Sequence, residues 1–181
     1  HARRKEQHRA DPQTGKAARC PGIAKALFPL PNSHCATSAA LPPLQVSYLI
    51  DTDLLSLLER KQVPPKLAAC VNANEVDIFL SVVSFAELQF GLDRAPAMHK
   101  PSLATWLADL RRKLAPSTEE LSEPVLVRWK ELLAELKGKN RTMTCEDSLI
   151  AATALYHGHT IATHNGRHFE PAGVQTFDPL T

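Results

Sequence analysis

The sequence predicts an α/β fold in three layers, with a mostly parallel central sheet between helices. Short apolar runs rich in β-branched residues alternate along the chain with segments whose leucines recur every three or four residues. Strands that alternate with helices favour a parallel sheet, because each helix carries the chain back to the start of the next strand. The chain has 181 residues, of which 44% are hydrophobic, and contains no apolar run of membrane-spanning length. These values fit one such domain with an additional tail.

The first 46 residues differ from the remainder in charge and in proline content. They hold seven basic and two acidic residues, a net charge of +5 against −3 for the rest, and six of the fourteen prolines. No helical or strand period persists there, and so polar a segment buries too little surface to offset its ordering entropy. We therefore predict a disordered, basic, proline-rich tail over residues 1–46 and a folded domain over residues 47–181.

The folded part is expected to begin with two strands and three helices. The apolar run Val46–Ile50 predicts the first strand, and residues 76–83 predict the second. Two short helices are expected between these strands, over residues 54–60 and 66–73. A third helix is expected over residues 85–92, directly after the second strand.

Three longer helices and two short strands complete the predicted fold. Leucines and tryptophans at helical spacing predict helices over residues 103–114 and 125–136, the second of which is capped by Gly138. Residues 146–157 are apolar almost all round, which predicts a buried helix that ends at Gly158. The two strands are expected over residues 160–163 and 174–177.

Three acidic residues are predicted to lie at the same edge of the sheet. Asp51 directly follows the first strand, Glu87 lies one turn into the helix after the second strand, and Asp147 opens the buried helix. The carboxyl ends of parallel strands meet at one edge, so positions far apart in the chain converge there. Carboxylates are the ligands that Mg²⁺ and Mn²⁺ prefer, and a metal so held lowers the pKa of a bound water for attack at phosphorus. The pattern therefore indicates a divalent metal site.

Helix capping is an alternative explanation for the same acidic residues. Residues 84–87 (Ser-Phe-Ala-Glu) and 144–147 (Thr-Cys-Glu-Asp) have the spacing of a capping box. Asp53 is a plausible N-cap for the helix that follows it. One position at a helix start can serve both purposes, so the residues alone leave the metal site and the caps equally open.

Four motifs, in their order and spacing, resemble one known family. They are Tyr48-Leu-Ile-Asp-Thr-Asp53, Leu80-Ser-Val-Val-Ser-Phe-Ala-Glu-Leu-Gln-Phe-Gly91, Glu146-Asp-Ser-Leu-Ile-Ala-Ala-Thr-Ala154 and Thr163-His-Asn-Gly-Arg-His-Phe169. The family is that of the PIN-domain ribonucleases, and the chain most closely resembles the VapC toxins of bacterial toxin–antitoxin pairs. The resemblance runs from about residue 47 to residue 180 and leaves out the tail.

This resemblance implies both a function and a set of site residues. Asp51, Glu87 and Asp147 are expected to be catalytic and to bind Mg²⁺ or Mn²⁺. The expected substrate is RNA, cut in single-stranded regions of structured molecules such as tRNA to leave a 5′-phosphate and a 3′-hydroxyl. The expected partner is a small antitoxin that folds over the site. The leading hypothesis is thus an endoribonuclease toxin of a type II toxin–antitoxin system.

The last motif departs from the pattern of the family it resembles. Family members commonly carry an acid at the place of Asn165 or of His168, and both are non-acidic here. Asn165 can still offer a carbonyl oxygen and Thr163 a hydroxyl. Arg167, beside the motif, is a candidate for binding substrate phosphate. The candidates for an auxiliary site are Asp53, Thr163, Asn165 and His168.

Two alternatives to an active nuclease stay open on the sequence. The missing fourth acid is compatible with a catalytically weak PIN-like interaction module that only binds its antitoxin or RNA. An apolar strand followed by Asp-x-Asp also opens the haloacid dehalogenase-type phosphatases, in which Asp51 would be the nucleophile, although no matching lysine motif is evident.

The remaining expectations concern histidines, assembly and compartment. Four histidines crowd residues 157–168, and surface or substrate contacts are favoured over a zinc site for them. Trp106 and Trp129 stand at helical spacing with leucines and are expected in the core or at the face of a homodimer. The four cysteines form no CxxC pair, which favours a reducing, cytoplasmic compartment. The lack of an apolar run of membrane-spanning length predicts no membrane association.

Overall fold

A computed structural model describes residues 46–60, 62–74 and 77–181 of the chain. The tail predicted for residues 1–46 therefore lies, apart from Val46, outside the described residues. The described strands are β1 (Tyr48–Ile50), β2 (Ile78–Ser81), β3 (Thr118–Glu119), β4 (Thr160–Ala162) and β5 (Thr176–Phe177). The described α-helices are α1 (Thr52–Leu58), α2 (Pro65–Ala73), α3 (Val82–Arg94), α4 (Lys100–Leu114), α5 (Glu123–Gly138) and α6 (Cys145–His157).

The five strands form one sheet with β1 at its centre. Their order is β3-β2-β1-β4-β5, and every pair of neighbours is parallel. Ile50 pairs with Leu80 on one side and with Ala162 on the other. The chain thus adds β2 and β3 on one side of β1 and then β4 and β5 on the other. A topological switch point results between β1 and β4, and in such sheets ligands bind at the carboxyl ends of the strands beside it.

Consecutive residues of β1 face two separate hydrophobic cores. Leu49 packs in the core under α5 and α6, whereas Ile50 packs in the core under α1, α2 and α4. The alternation follows from the pleat of a strand, which points successive side chains to opposite faces. The predicted three-layer α/β fold is therefore confirmed, with a described sheet that is parallel throughout. No helix among the described residues is long and apolar enough to cross a membrane.

The start of α3 differs from the prediction in a way that matters for the site. The sequence predicts a strand to residue 83 and a helix from residue 85, but the strand ends at Ser81 and the helix begins at Val82. The Ser81 hydroxyl accepts a hydrogen bond from the Val83 N–H at 3.2 Å and so caps the helix. Apolar residues alone do not mark this boundary, because Val82 and Val83 fit a strand as well as a buried helix.

Helix ends and the edge strand give three further comparisons with the sequence. Gly158 ends α6 at a φ of 75°, as predicted. Gly138 was predicted to cap α5, but it is the last residue of the helix, and the left-handed conformation falls on Asn140 at a φ of 52°. Asparagine tolerates that conformation better than most residues. Strand β3 was not predicted, because two residues are too few to show a period.

Candidate metal centre

Asp51 lies at the carboxyl end of the central strand and is almost completely buried. Its backbone N–H bonds Ala162 O at 2.9 Å, which extends the pairing of β1 with β4 by one residue. One carboxylate oxygen, Oδ1, caps α1 by accepting the N–H of Thr52 at 2.7 Å. The other, Oδ2, accepts the hydroxyl of Thr163 at 2.9 Å. Burial and the charge of Asp53 outweigh these hydrogen bonds and raise the pKa of Asp51 to about 6.

Asp53 lies in the first turn of α1 and does not cap it. The prediction of an N-cap at Asp53 is wrong, because Asp51 takes that position. The Oδ2 atom of Asp53 accepts a hydrogen bond from Asn165 Nδ2 at 2.9 Å. Its Oδ1 atom is buried and has no hydrogen-bond partner among the described residues. A buried acceptor without a partner costs free energy unless a donor or a cation meets it.

Glu87 approaches the same place from α3. The capping box predicted for residues 84–87 is wrong, because α3 begins three residues earlier than that motif requires and is capped by Ser81. Glu87 therefore lies in the second turn of the helix, where capping does not explain its presence. Its Oε2 atom accepts the hydroxyl of Thr52 at 2.6 Å. Burial raises the pKa of Glu87, the Thr52 hydrogen bond opposes the rise, and Asp147 adds to it.

Asp147 completes the set from the first turn of α6. Here one of the two hydrogen bonds of the predicted capping box is confirmed. The Thr144 hydroxyl accepts the backbone N–H of Asp147 at 3.0 Å. The carboxylate of Asp147 is left to face the site, and its charge raises the pKa of both Asp51 and Glu87. Electrostatic coupling of this kind requires that the three acids lie close together. The structure thus brings together the three acids that the sequence singled out.

The donor set fits a hard divalent cation. Four carboxylates lie around the switch point, where Asp51 is coupled electrostatically to Asp53 and Asp147, and Glu87 to Asp147. Among the described residues no Lys or Arg forms a salt bridge with any of them. The buried Asp53 Oδ1 atom without a partner and the raised pKa of Asp51 show that this charge is uncompensated within the described chain. Mg²⁺ and Mn²⁺ prefer oxygen ligands of this kind. The residues best placed to hold such an ion are Asp51, Asp53, Glu87 and Asp147.

The residues of the last motif divide between the interior and the rim of the site. Thr163 is buried, and its hydroxyl lies 2.9 Å from Asp51 Oδ2 and 3.5 Å from Asp53 Oδ2. Because the hydroxyl has a single proton, it donates along the shorter contact, to Asp51. Asn165 donates its amide N–H (Nδ2) to Asp53 Oδ2 at 2.9 Å. An amide nitrogen that donates a hydrogen bond is not a metal ligand. Asn165 therefore fixes Asp53 in place.

His168 and Arg167 lie at the rim. The Nδ1 atom of His168 is 3.8 Å from Asp147 Oδ2. Both residues are exposed and line an open cleft of about 560 Å³, whose wall also includes Asp147 and Thr144. The 3₁₀ turn Gly166–His168 presents them there. The cleft opens Asp147 to solvent on the side of the last motif.

Two features of the molecule were not found from the sequence. Thr52 orients Glu87, and the only signal for it is its place between two acids of the first motif. The four histidines do not act together: His168 faces Asp147, His164 pairs with Asp178 at 3.0 Å, and the other two lie elsewhere. Those two, His157 and His159, contact Glu119 of the unpredicted strand β3.

Comparison with known sequences identifies the family. The sequence profile of the PIN domain family matches residues 48–174, more than two thirds of the chain. The chain belongs to the PIN domain family. This membership confirms the resemblance carried by the four motifs and replaces the haloacid dehalogenase alternative, which rested on Asp-x-Asp alone. Nucleases of the PIN family generally use a divalent metal ion.

Individual relatives within the family are distant but match over most of their length. The chain is 28% identical over 138 residues to "VapC ribonuclease Y4jK" of Sinorhizobium fredii and 26% identical over 138 residues to "Toxin FitB" of Neisseria gonorrhoeae. Each alignment covers 72% of this chain and 96% of the relative. A chain of the solved structure of FitAcB from Neisseria gonorrhoeae superimposes with a TM-score of 0.67 at 27% identity, over 73% of this chain and 97% of that chain.

Proposed function

We propose that this PIN-domain protein is the metal-dependent endoribonuclease toxin of a type II toxin–antitoxin system. One observation carries the proposal: four electrostatically coupled carboxylates lie around the switch point of the sheet, with one buried oxygen atom of Asp53 left without a partner among the described residues. The names of the relatives, "VapC ribonuclease" and "Toxin FitB", support the role. The reaction is hydrolysis of phosphodiester bonds in structured RNA such as tRNA.

In this function the acids share the work of holding Mg²⁺ or Mn²⁺. Asp51, Glu87 and Asp147 are the proposed ligands and catalytic residues, and Asp53 is the proposed auxiliary ligand. A divalent ion held by them supplies a water of lowered pKa and neutralises charge at phosphorus. Thr52 and Thr163 hold Glu87 and Asp51 in position through their hydroxyls. These hydrogen bonds fix the carboxylates before an ion arrives, so little side-chain ordering remains to be done on binding.

The open cleft beside Asp147 is the proposed RNA site. It leads from solvent to Asp147 and carries the exposed side chain of Arg167, a suitable partner for a phosphate oxygen. His168, which directly follows Arg167 in the last motif, lines the same cleft. A positive side chain at the entrance offsets the repulsion between RNA phosphates and the acids until an ion is bound.

A second surface fits the proposed antitoxin. A groove of about 250 Å³ runs between α1, α3 and α4, and apolar side chains such as Leu88, Leu92 and Trp106 line it. Trp106, predicted for the core or a dimer face, is half-buried here and packs against the core. The groove reaches Thr52 and Glu87 at the site itself. A partner segment with apolar residues and one basic side chain would fill the groove and neutralise the acids, which closes the site.

Assembly and compartment remain predictions of the sequence. A homodimer is expected for the protein, and its direct test is sedimentation of the purified chain over a range of concentrations. The cytoplasm is the expected compartment because of the cysteine pattern. Neither expectation is needed for the chemistry of the site.

The proposal is tested by RNA cleavage with isosteric variants of the acids. Asp51→Asn, Glu87→Gln and Asp147→Asn each remove one charge and keep the shape of the side chain. We expect each to lower the cleavage rate by at least about 100-fold, the scale on which loss of one preorganised electrostatic contact acts. The matched control is Glu170→Gln, an exposed acid near the last motif, which should cleave at the wild-type rate. EDTA should abolish cleavage, and added Mg²⁺ or Mn²⁺ should restore it.

The same assay separates the nuclease from a pure interaction module. One observation favours such a module. Asn165, at a place where the family commonly has an acid, donates its amide N–H to Asp53 and so offers no carboxylate to a metal ion. A module of this kind would bind RNA or antitoxin with equal affinity in wild type and in Asp51→Asn, and neither protein would cleave. Retained cleavage in all three acid variants would show that these residues are not the nuclease site.

A further inference from the structure

A second cluster of metal-ligating side chains lies away from the four acids. It consists of Glu119 on β3, His157 at the end of α6 and His159 just before β4. The backbone N–H of Asp51 bonds Ala162 O at the carboxyl end of β4, whereas His159 stands before the amino end of that strand. The two clusters therefore belong to different ends of strand β4 and are separate sites.

The three side chains already have the arrangement of a metal-binding set. Glu119 Oε1 is 3.2 Å from His159 Nε2, and Glu119 Oε2 is 3.2 Å from His157 Nε2. One ligand atom from each residue lies within 4.8 Å of the other two. Ligands at about 2.1 Å from a tetrahedral ion lie roughly 3.4 Å apart, so both carboxylate–imidazole distances are close to those of a bound set. The other separations among the three ligand atoms are at most 4.8 Å.

The surroundings of His159 favour a fixed ligand. Its ring is almost completely buried and stacks on Phe79, with a centroid separation of 4.6 Å. Its second nitrogen, Nδ1, lies 2.6 Å from the hydroxyl of Ser47. With an ion on Nε2, the proton moves to Nδ1 and is donated to Ser47. Ligating histidines usually have such a partner on the second nitrogen, which orients the ring.

The remaining two ligands leave room for a solvent molecule. His157 lies at the end of its helix, and 28% of its side chain is exposed. Its ring is nearly parallel to that of His159, at 17° and a centroid separation of 5.6 Å. Small rotations of this exposed ring bring its Nε2 atom toward the other two ligands. Two imidazoles and one carboxylate, with an open fourth position, form a set typical of Zn²⁺ and unsuited to Mg²⁺.

We propose that Glu119, His157 and His159 bind a Zn²⁺-class transition-metal ion through three protein ligands, with the fourth position left to solvent. The ion ties the edge strand β3 to the end of α6 and the start of β4. Without metal the same residues remain paired, because each imidazole can donate its Nε2 proton to Glu119. Ser47 then donates to His159 Nδ1. The three residues thus stay in contact with and without metal, and the fraction of protein with metal bound depends on the free concentration of the ion. This inference goes beyond the proposed nuclease function and does not depend on it.

Binding of Co²⁺ and Zn²⁺ to the full chain tests the site. The Asp51→Asn protein is used throughout, so that the four acids contribute less to binding. Co²⁺ should give the intense visible absorption of a four-coordinate ion, saturating at one equivalent, and Zn²⁺ should displace it. His157→Ala should weaken binding at least about tenfold, since loss of even a hydrogen-bond partner of a ligand costs 10–100-fold. Glu119→Gln should weaken it as well.

The matched control is His164→Ala, which removes an exposed imidazole that pairs with a carboxylate but has no second imidazole beside it. It should bind Co²⁺ as its parent does. At a free concentration ten times the parent's Kd, Zn²⁺ should raise Tm by about 4–6 °C in the parent and by no more than about 1–2 °C in His157→Ala. Equal affinity in the His157→Ala and His164→Ala proteins, or a six-coordinate Co²⁺ spectrum, would overturn the proposal.

Discussion

Asp51 and Glu119 are carboxylates of the same sheet whose pKa values move in opposite directions. Burial and the charge of Asp53 raise the pKa of Asp51 to about 6. Burial acts on Glu119 in the same sense, but the hydrogen bond and charge of His159 and the charge of His157 outweigh it, so the pKa of Glu119 is lowered. Burial is common to both residues, and the neighbours decide the result.

The two clusters differ in whether the chain itself supplies partners for the carboxylates. The four acids have no positive partner among Lys and Arg of the described residues, so a cation from outside would offset their mutual repulsion. The Glu119 cluster supplies its own hydrogen-bond donors. An ion is therefore expected to matter for stability and chemistry at the first cluster, and chiefly for stability at the second.

The largest effect is expected when the charge of Asp51 is removed in the metal-free protein. Above about pH 6 the folded protein bears the cost of a buried charge that the unfolded chain does not bear. A rise of about two pKa units corresponds to about 3 kcal/mol. Asp51→Asn should therefore increase the free energy of unfolding in EDTA at pH 7–8 by up to about 3 kcal/mol, because Asn remains a good N-cap.

The gain should disappear as the pH falls. Between about pH 6 and pH 4 the folded protein already holds the proton that the unfolded chain takes up only near pH 3.8, so the penalty shrinks and is lost below pH 4. Urea unfolding at several pH values measures the effect, with Glu170→Gln as the exposed control. A lower stability of Asp51→Asn at pH 8 would show that the carboxylate acts only as a cap.

The variant Asn165→Asp adds the acid that the last motif lacks and so increases the negative charge of the first cluster. The change replaces the hydrogen bond from Asn165 Nδ2 to Asp53 Oδ2 with two like charges. We expect a loss of about 2 kcal/mol in the metal-free free energy of unfolding and about tenfold tighter Mn²⁺ binding. Asn165→Ala removes the hydrogen bond without adding charge, and so should lose stability without gaining affinity. Weaker Mn²⁺ binding by Asn165→Asp would place residue 165 outside the reach of the ion.

Glu119→Gln applies the converse change to the second cluster. A neutral amide keeps one acceptor but presents an NH₂ group to one of the two imidazoles, His157 or His159. The metal-free free energy of unfolding should fall by about 1 kcal/mol near neutral pH, opposite in sign to Asp51→Asn. Urea unfolding of both variants under one set of conditions gives the comparison directly. A gain in stability on both substitutions would remove the contrast between the clusters.

The smallest expected effect is at the rim. His168→Asp puts a carboxylate where an imidazole nitrogen now lies 3.8 Å from Asp147 Oδ2. Mn²⁺ affinity should rise a few-fold, less than for Asn165→Asp, because the side chain is exposed and its charge is screened. Calorimetry of the two variants side by side measures the order. Unchanged affinity would mean that His168 faces solvent and takes no part in the site.

The sequence predicted the helices and the acids for a clear physical reason. Amphipathic spacing marks α4 and α5, and strand ends mark Asp51, because both patterns are local in the chain. The start of α3 was misplaced because Val82 and Val83 satisfy both periods, and this error alone made Glu87 resemble a cap. The Glu119 cluster could not be predicted, since its carboxylate comes from a strand of two residues that pairs only through tertiary contacts.

Calorimetric titration of Mn²⁺ into the full, chelator-stripped protein tests the central claim, that the four acids are a cation site, most directly. We predict one tight equivalent in the wild type, because one divalent ion removes most of the charge that would attract a second. That equivalent should be lost in Asp51→Asn and kept in both Glu170→Gln and His157→Ala, which lie outside the site. Mn²⁺ binding of unchanged affinity in Asp51→Asn would contradict the account.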